Sequence, residues 1–188
     1  MLEAAGRLFA AKGYEGVSMR ALAQEAGCAL GALYTLFPSK RALLRDIWEG
    51  AFEDLLAVVR ERFAQADPAV VRLRDMILAL IGFWLENPDH FRAIFLIEDQ
   101  VTSAEERYFV ESSQAVPAIL ALFLEAVTLA QAQGDLAPGR PQGVFEVLFA
   151  GAHGVASLLV SIPEFPWDDP RGLPARTVDA LLTGLGPV

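Results

Sequence analysis

The sequence of 188 residues contains few of the side chains that build metal centres and disulfide frameworks. Its one cysteine, Cys28, excludes an intrachain disulfide and a cysteine-rich metal cluster. Two histidines, His90 and His153, leave little material for a histidine metal site. Residues 1–13 have no basic flank leading into an apolar run with a small-residue cleavage site, so they do not resemble a signal peptide. We therefore expect a reduced, cytoplasmic protein that binds no metal and no cofactor.

The motifs of common catalytic sites are absent as well. The sequence has no glycine-rich phosphate loop, no nucleophile elbow, no HExxH and no paired-cysteine metal spacing. Its acidic pairs, Glu105-Glu106 and Asp168-Asp169, occupy adjacent positions, whose side chains diverge on a helix and suit solvation better than acid–base catalysis. We predict that the protein is not an enzyme.

Sustained strand-like alternation is missing too, whereas helical periodicity runs through nearly the whole chain. With 54% hydrophobic and 21% charged residues, the chain can bury a sizeable core. Gly13 and Gly27 are predicted to end the first two helices, Ser18 and Ser39 to cap the second and fourth, and Pro117 to kink or split a later one. We predict an all-α fold of about nine helices, at about 1–12, 18–26, 29–36, 39–66, 68–87, 89–99, 104–133, 141–162 and 174–185.

One helix is apolar enough to suggest a membrane span, because residues 144–162 contain no lysine or arginine. Glu146, His153 and several glycines interrupt this stretch, and it has no basic or aromatic flanking belts. Its small residues, among them Ala150, Gly151 and Gly154, would let a second helix approach closely. We therefore predict a packed helix–helix interface and no membrane association.

The net charge of −9 is unevenly distributed along the chain. Residues 1–50 carry six basic and five acidic side chains, whereas the rest carries nine basic and nineteen acidic ones. Phosphate binding depends on the local field, because screening limits its reach to about 8–10 Å. A near-neutral head on an acidic body is therefore compatible with DNA binding through the head alone.

Residues 19–38 fit a helix-turn-helix motif, in which the second helix lies in the DNA major groove. Ala23 provides the small residue where the helices cross, and Gly27 provides the residue that tolerates positive φ in the turn. A set of apolar residues is predicted to hold both helices on a shared core: Leu22, Ala26, Cys28, Leu33, Leu36 and Phe37. At 100° per residue, the opposite side of the second helix carries Gly31, Ala32, Tyr34 and Thr35, with Leu30 on the flank.

Over about residues 2–45 the sequence resembles the TetR family of bacterial transcriptional regulators. The resemblance rests on a combined pattern and not on any single fragment. Its members are Ala4-Ala5, Leu8-Phe9, Gly13-Tyr14, Ser18-Met19-Arg20-Ala21-Leu22-Ala23, Ala26-Gly27, Gly31-Ala32-Leu33-Tyr34-Thr35-Leu36-Phe37-Pro38-Ser39-Lys40 and Leu43-Leu44.

The resemblance implies a homodimeric repressor whose two heads bind a palindromic double-stranded DNA operator. By position, Ser18, Arg20, Tyr34 and Lys40 would contact phosphates. The residues at base-reading positions, including the start of the second motif helix, are Ala29, Leu30, Gly31, Ala32 and Thr35.

This chain departs from the family pattern at the helix that would read bases. The family usually has Val-Ser where this chain has Cys28-Ala29, so the hydroxyl cap of that helix is missing. Thr35 is the one strong hydrogen-bonding side chain among the groove-facing positions, and no Arg, Asn or Gln accompanies it. We therefore predict readout weighted toward thymine methyl groups and DNA shape.

The division predicted from this pattern is a DNA-binding domain, 1–46, and a ligand-binding and dimerisation domain, 47–188. The helices at about 141–162 and 174–185 are predicted to pair with their copies in the homodimer. A small apolar or aromatic effector is predicted to release the DNA. Its candidate pocket residues are Phe83, Trp84, Phe91, Phe95, Phe109, Ser112, Ser113, Phe123 and His153.

Some alternatives remain open at the level of sequence. The aromatic residues could be plain core, His153 a satisfied core or interface histidine, and His90 a first-turn surface residue. The protein could act on DNA without a small-molecule inducer. It could also be a helical enzyme or lipid carrier whose head no longer binds DNA.

Overall fold

The computed structural model of the chain describes residues 1–65, 67–96 and 113–187. Across these ranges the structure is helical and contains no strand, which confirms the predicted fold class. We number the α-helices of the described residues in chain order. They are α1 (Leu2–Lys12), α2 (Met19–Glu25), α3 (Leu30–Leu36), α4 (Lys40–Phe63), α5 (Ala69–Glu86), α6 (Pro88–Phe91), α7 (Ala115–Ala132), α8 (Pro141–Ser161) and α9 (Leu173–Gly184).

The local signals that begin and end the first helices act as predicted. Ser18 Oγ accepts the backbone N–H of Ala21 at 3.2 Å, and Ser39 Oγ accepts that of Ala42 at 3.0 Å. These hydroxyls bond donors that the first turn of a helix leaves without an intrahelical partner. Gly13 and Gly27 have φ of 70° and 66°, which a glycine adopts without steric cost.

Two later boundaries differ from the sequence prediction. The helix predicted at about 89–99 is the short α6 followed by a π-helical turn, Arg92–Leu96, and its last positions lie outside the described residues. The break attributed to Pro117 falls earlier, since α7 begins at Ala115 and Pro117 lies in its first turn. Proline is tolerated there because its missing N–H would have no partner in the helix.

The chain divides into two compact units. The first comprises Met1–Glu53 and Asn87–Ala115, and the second comprises Asp54–Glu86 and Val116–Val188. The predicted functional division between residues 46 and 47 remains a prediction.

The first unit is organised around one apolar core beneath helices α1 to α4. Its buried members are Ala5, Phe9, Val17, Met19, Leu22, Ala23, Leu33, Phe37, Leu43, Leu44, Ile47 and Trp48. Cys28 is partly buried against this core, as expected of a small apolar residue. The prediction that Leu36 packs there is wrong, because Leu33 and Phe37 fill the space and leave Leu36 exposed at the end of α3.

The segment around α6 also packs within this first unit. The buried indole Nε1 of Trp48 donates to the carbonyl of Ala93, in the π-helical turn, at 3.1 Å. His90, predicted to be a first-turn surface residue, does lie in the first turn of α6 but is only partly exposed. Its ring is half-buried against α1, and a Cβ at Gly6 would lie 3.7 Å from His90 Cδ2.

In the second unit, α5, α8 and α9 pack on one another. Leu181 of α9 lies directly over Gly151 of α8, where a Cβ would overlap its methyl group. Arg74 of α5 makes a two-pronged ion pair with Asp179 of α9, at 2.5 and 3.1 Å. Because a Cβ at Gly151 would overlap Leu181, the close approach of α8 and α9 depends on glycine at position 151.

Two helices, α7 and α8, are long and apolar enough to cross a membrane by length and composition alone. Core helices of soluble proteins satisfy the same criterion, so this property is weak support for a span. Of the apolar windows that define them, 33% and 28% of the residues are buried. The predicted absence of membrane association stays a prediction.

Candidate nucleic-acid interface

The geometry of the helix-turn-helix motif follows from its turn and its buried residues. Leu22 and Ala23 on α2, and Leu33 on α3, are buried in the shared core. Between the helices, the N–H of Cys28 donates to the carbonyl of Ala23 at 2.9 Å, and Gly27 holds its positive φ. These contacts fix α3 at its inner face and leave its outer face to solvent.

The outer face of α3 carries the residues that were predicted to meet DNA. Gly31, Ala32 and Thr35 are exposed, and Leu30 is half-buried at the flank. Tyr34 is 50% exposed, which distinguishes it from a packing residue of the core. A Cβ at Gly31 would meet nothing within 4 Å, so the helix surface is open at this point. The arrangement therefore offers a small, mostly apolar surface with one phenol and one hydroxyl.

The Thr35 hydroxyl already has a partner within its own helix. Its Oγ1 donates to the carbonyl of Gly31 at 2.9 Å. A hydroxyl has one proton and two lone pairs, so this bond leaves the oxygen as an acceptor toward a ligand. Thr35 thus presents an acceptor and a methyl group to the surroundings of α3.

The start of each motif helix is capped differently. Ser18 is exposed, and its oxygen accepts the Ala21 N–H, so its own proton remains available for a second bond. Arg20, also exposed, lies two residues further on, in the first turn of α2. Ala29 precedes α3 in an extended conformation and makes no side-chain cap, in agreement with the missing hydroxyl noted in the sequence.

Lys40, predicted to contact phosphate, has a structural role within the first unit. Its Nζ donates to the carbonyls of Tyr14 at 2.6 Å and Val17 at 2.9 Å, and lies 4.0 Å from the centre of the Tyr14 ring. An ammonium group has three donors, so at most one remains for a phosphate. These acceptors could not be predicted from the sequence, because they lie 26 and 23 residues away from Lys40 along the chain.

The predicted pocket residues of the first unit are only partly brought together. The rings of Phe91 and Phe95 lie 4.9 Å apart, with Phe91 fully buried. Ser113 is a buried polar residue at the end of the unit. Phe109 and Ser112 lie outside the described residues.

The second unit holds the other predicted pocket residues. Phe83 and Trp84 are buried in α5 with their rings in an edge-to-face contact at 4.9 Å. Phe123 of α7 is fully buried. His153 of α8 is half-buried, and this burial lowers the pKa of its imidazole from the ordinary value of 6.5 because the charged form loses hydration.

An aromatic row joins Phe123 to His153 through two phenylalanines that the sequence analysis overlooked. Successive ring centres are 5.4 Å apart from Phe123 to Phe145, 5.7 Å from Phe145 to Phe149, and 5.8 Å from Phe149 to His153. The spacing of 145, 149 and 153 along one helix face was the signal that could have identified it. The row contains a fully buried ring, Phe123, and an exposed one, Phe149, which suits the wall of an apolar site.

No group of three or more histidine, cysteine, aspartate or glutamate side chains in the described ranges could hold a metal ion. The exposed residues of the motif offer hydrogen-bonding groups and apolar contact surface. The second helix of the motif, α3, is buried on its inner face in a core of helices and exposed on its outer face. This arrangement is that of helix-turn-helix DNA-binding proteins.

Comparison with known families identifies the chain within that class. Residues 1–47 match the family described as bacterial regulatory proteins, tetR family. Residues 73–184 match the tetracyclin repressor-like C-terminal domain. The chain belongs to the TetR family of bacterial regulatory proteins.

Individual relatives extend this likeness. The chain is 36% identical over 111 residues to the HTH-type transcriptional repressor KstR2 of Rhodococcus jostii, covering 57% of this chain and 52% of that protein. The curated relatives are matched over about half of their length or less, between 36% and 52%.

Two solved structures have the same fold at low sequence identity. A TetR-family regulatory protein from Rhodococcus RHA1 superposes with a TM-score of 0.80 at 23% identity, covering 100% of this chain and 95% of that one. The regulator FadR of Bacillus subtilis, solved in complex with stearoyl-CoA, gives 0.83 at 17% identity, covering 97% and 96%. These likenesses show the fold alone.

Proposed function

We propose that the chain is a cytoplasmic, ligand-responsive repressor that binds a palindromic operator as a homodimer and is released by a small apolar effector. The observation that carries this proposal is the exposed outer face of α3, held on a buried core by Leu33 and Phe37. Family membership supports DNA binding, and the relative KstR2, a transcriptional repressor, supports repression.

The proposed contacts to phosphates and to bases are assigned from the exposed atoms of the motif. Tyr34 and Arg20 donate to phosphates, and Ser18 adds a hydroxyl proton. Gly31, Ala32 and the Thr35 methyl make close contact in the major groove. Because the Thr35 hydroxyl is an acceptor, it pairs with an amino group of adenine or cytosine.

The homodimer is proposed to form through α8 and α9. The outer face of α8 is exposed and carries the small or apolar residues Gly143, Val147, Ala150 and Leu158, together with Glu146. Small residues permit close approach of a second helix, and an isologous contact places the same face of both copies together. Two heads must then stand about 34–36 Å apart to reach successive major grooves.

The effector is proposed to be apolar, and the aromatic row is its suggested wall. Phe123, Phe145 and Phe149 offer ring surfaces, and a neutral His153 offers one polar group. The FadR structure with stearoyl-CoA supports an apolar acyl chain as the first class to test. Binding favours a body conformation in which the two heads no longer match the half-site spacing.

The test is a binding titration of the full chain on DNA from upstream of its own gene. We expect a discrete complex on specific DNA that dissociates when long-chain acyl compounds are added. The variant Tyr34→Phe, which retains the ring, should weaken binding to all sequences about equally. Effector occupancy that leaves operator affinity unchanged would refute the release mechanism, whereas no specific complex on any DNA would refute operator binding.

A further inference from the structure

An exposed aromatic pair lies on the turn that joins α8 to α9. Phe165 is 52% exposed, and among the large apolar side chains of the described residues only Leu36 is more exposed. Its ring stacks obliquely on that of Trp167, with centroids 4.6 Å apart. An exposed phenylalanine of this size in water is unfavourable unless something covers it.

The turn is held rigidly by its own hydrogen bonds. The N–H of Phe165 and the indole Nε1 of Trp167 both donate to the carbonyl of Ile162, at 3.1 and 3.2 Å. The N–H of Trp167 donates to the carbonyl of Phe165 at 2.7 Å. Pro163 and Pro166 fix two further backbone angles. A partner would therefore meet a preorganised ring, and little conformational entropy would be lost on contact.

The far end of the turn is fixed to the start of α9. Asp169 accepts the N–H of Gly172 at 3.0 Å and a guanidinium N–H of Arg176 at 2.7 Å. These bonds fix the end of the turn at the start of α9, one of the two helices of the proposed dimer contact.

The aromatic pair continues the exposed face of α8. Leu158 is 44% exposed and Ile162 is 37% exposed, so three apolar side chains follow one another at 158, 162 and 165. Such a row, ending in an aromatic ring, resembles the buried centre of a protein interface, where a few large side chains dominate the binding energy.

We propose that the Phe165 ring is an anchor of the homodimer and docks against a second copy of this chain. The proposal rests on the dimer proposed above and adds a contact outside the α8 and α9 helices. A lipid surface is a poorer occupant, because Glu164 and Asp168 flank the ring as exposed carboxylates and an anionic membrane would repel them.

The experiment measures the dimer dissociation constant of the full chain by sedimentation velocity over a dilution series. The variant Phe165→Ser should raise this constant by about 30-fold or more, as expected for loss of an interface anchor. The matched control is Val71→Ser, an exposed apolar residue on α5, which should leave the constant within about threefold of the wild type. Far-UV circular dichroism of each variant reports whether the helices are retained, and Phe165→Leu, a milder change, should give an intermediate constant.

The outcomes separate this inference from the dimer on which it rests. If the wild type stays monomeric at every concentration, the proposed dimer is refuted and the anchor with it. If the wild type dimerises and Leu158→Glu abolishes the dimer while Phe165→Ser does not weaken it, the helices form the interface and the anchor alone is refuted. Binding of Phe165 variants and wild type to anionic vesicles would differ only if a membrane were the true occupant, which would also overturn the anchor.

Discussion

Replacing Lys40 with methionine separates two roles for its ammonium group. Methionine keeps an unbranched side chain but removes the donors to the carbonyls of Tyr14 and Val17, at 2.6 and 2.9 Å. Hydrogen bonds from a charged group contribute about 1.5–3 kcal/mol each when well shielded. Lys40 is half-buried, so we expect the two bonds and the Tyr14 ring contact to contribute roughly 2–3 kcal/mol together.

The assays are thermal unfolding and the salt dependence of operator affinity. For a chain of this length, 2–3 kcal/mol lowers the unfolding midpoint by about 5–10 °C. If the ammonium only supports the turn between α1 and α2, the slope of log affinity against log salt is unchanged. A phosphate contact would instead reduce that slope by about 0.9 for each lysine lost. Lys12→Met, which changes the exposed second lysine, is the control.

An unchanged midpoint together with a flatter salt dependence would refute the structural role assigned to Lys40. A lower midpoint with an unchanged slope would remove Lys40 from the phosphate contacts. A change in both would mean that its third N–H binds DNA while the other two hold the turn.

Three further substitutions test the site and the body. Thr35→Val keeps the shape of the side chain and removes the acceptor. In competition binding, the preference for adenine or cytosine at one base position should therefore fall by about tenfold. A wild-type preference for guanine at that position would contradict the acceptor role. Gly151→Ala places a methyl group against Leu181, whereas the Cβ of the control Gly82→Ala meets nothing within 4 Å. In urea unfolding, the free energy of unfolding of Gly151→Ala should be about 1–3 kcal/mol lower than that of Gly82→Ala. Equal stability of the two variants would mean that Leu181 moves aside freely. Because burial lowers the pKa of His153, the unfolded chain binds its proton more readily, and stability is lost as pH falls through about 6.5 toward the folded value. His153→Gln should reduce this loss between pH 7.5 and 5, and an unaltered pH profile would show that the imidazole is not the responsible group.

The sequence alone determined the helical class and most of the motif that carries DNA recognition. Helix periodicity, the caps at Ser18 and Ser39 and the glycines at 13 and 27 depend on interactions that span only three to five residues. Such signals are complete within a short stretch of chain. They were therefore readable without knowing where the rest of the protein lies.

Only the tertiary structure decided which side chains serve the surface and which serve the fold. Lys40 donates to carbonyls 26 and 23 residues earlier in the chain, and His90 packs partly against α1. Leu36 is exposed, whereas Phe37 lies in the core. The row from Phe123 to His153 joins rings of two separate helices. In each case the partner is distant along the chain, and its position depends on how the helices pack rather than on local backbone preference.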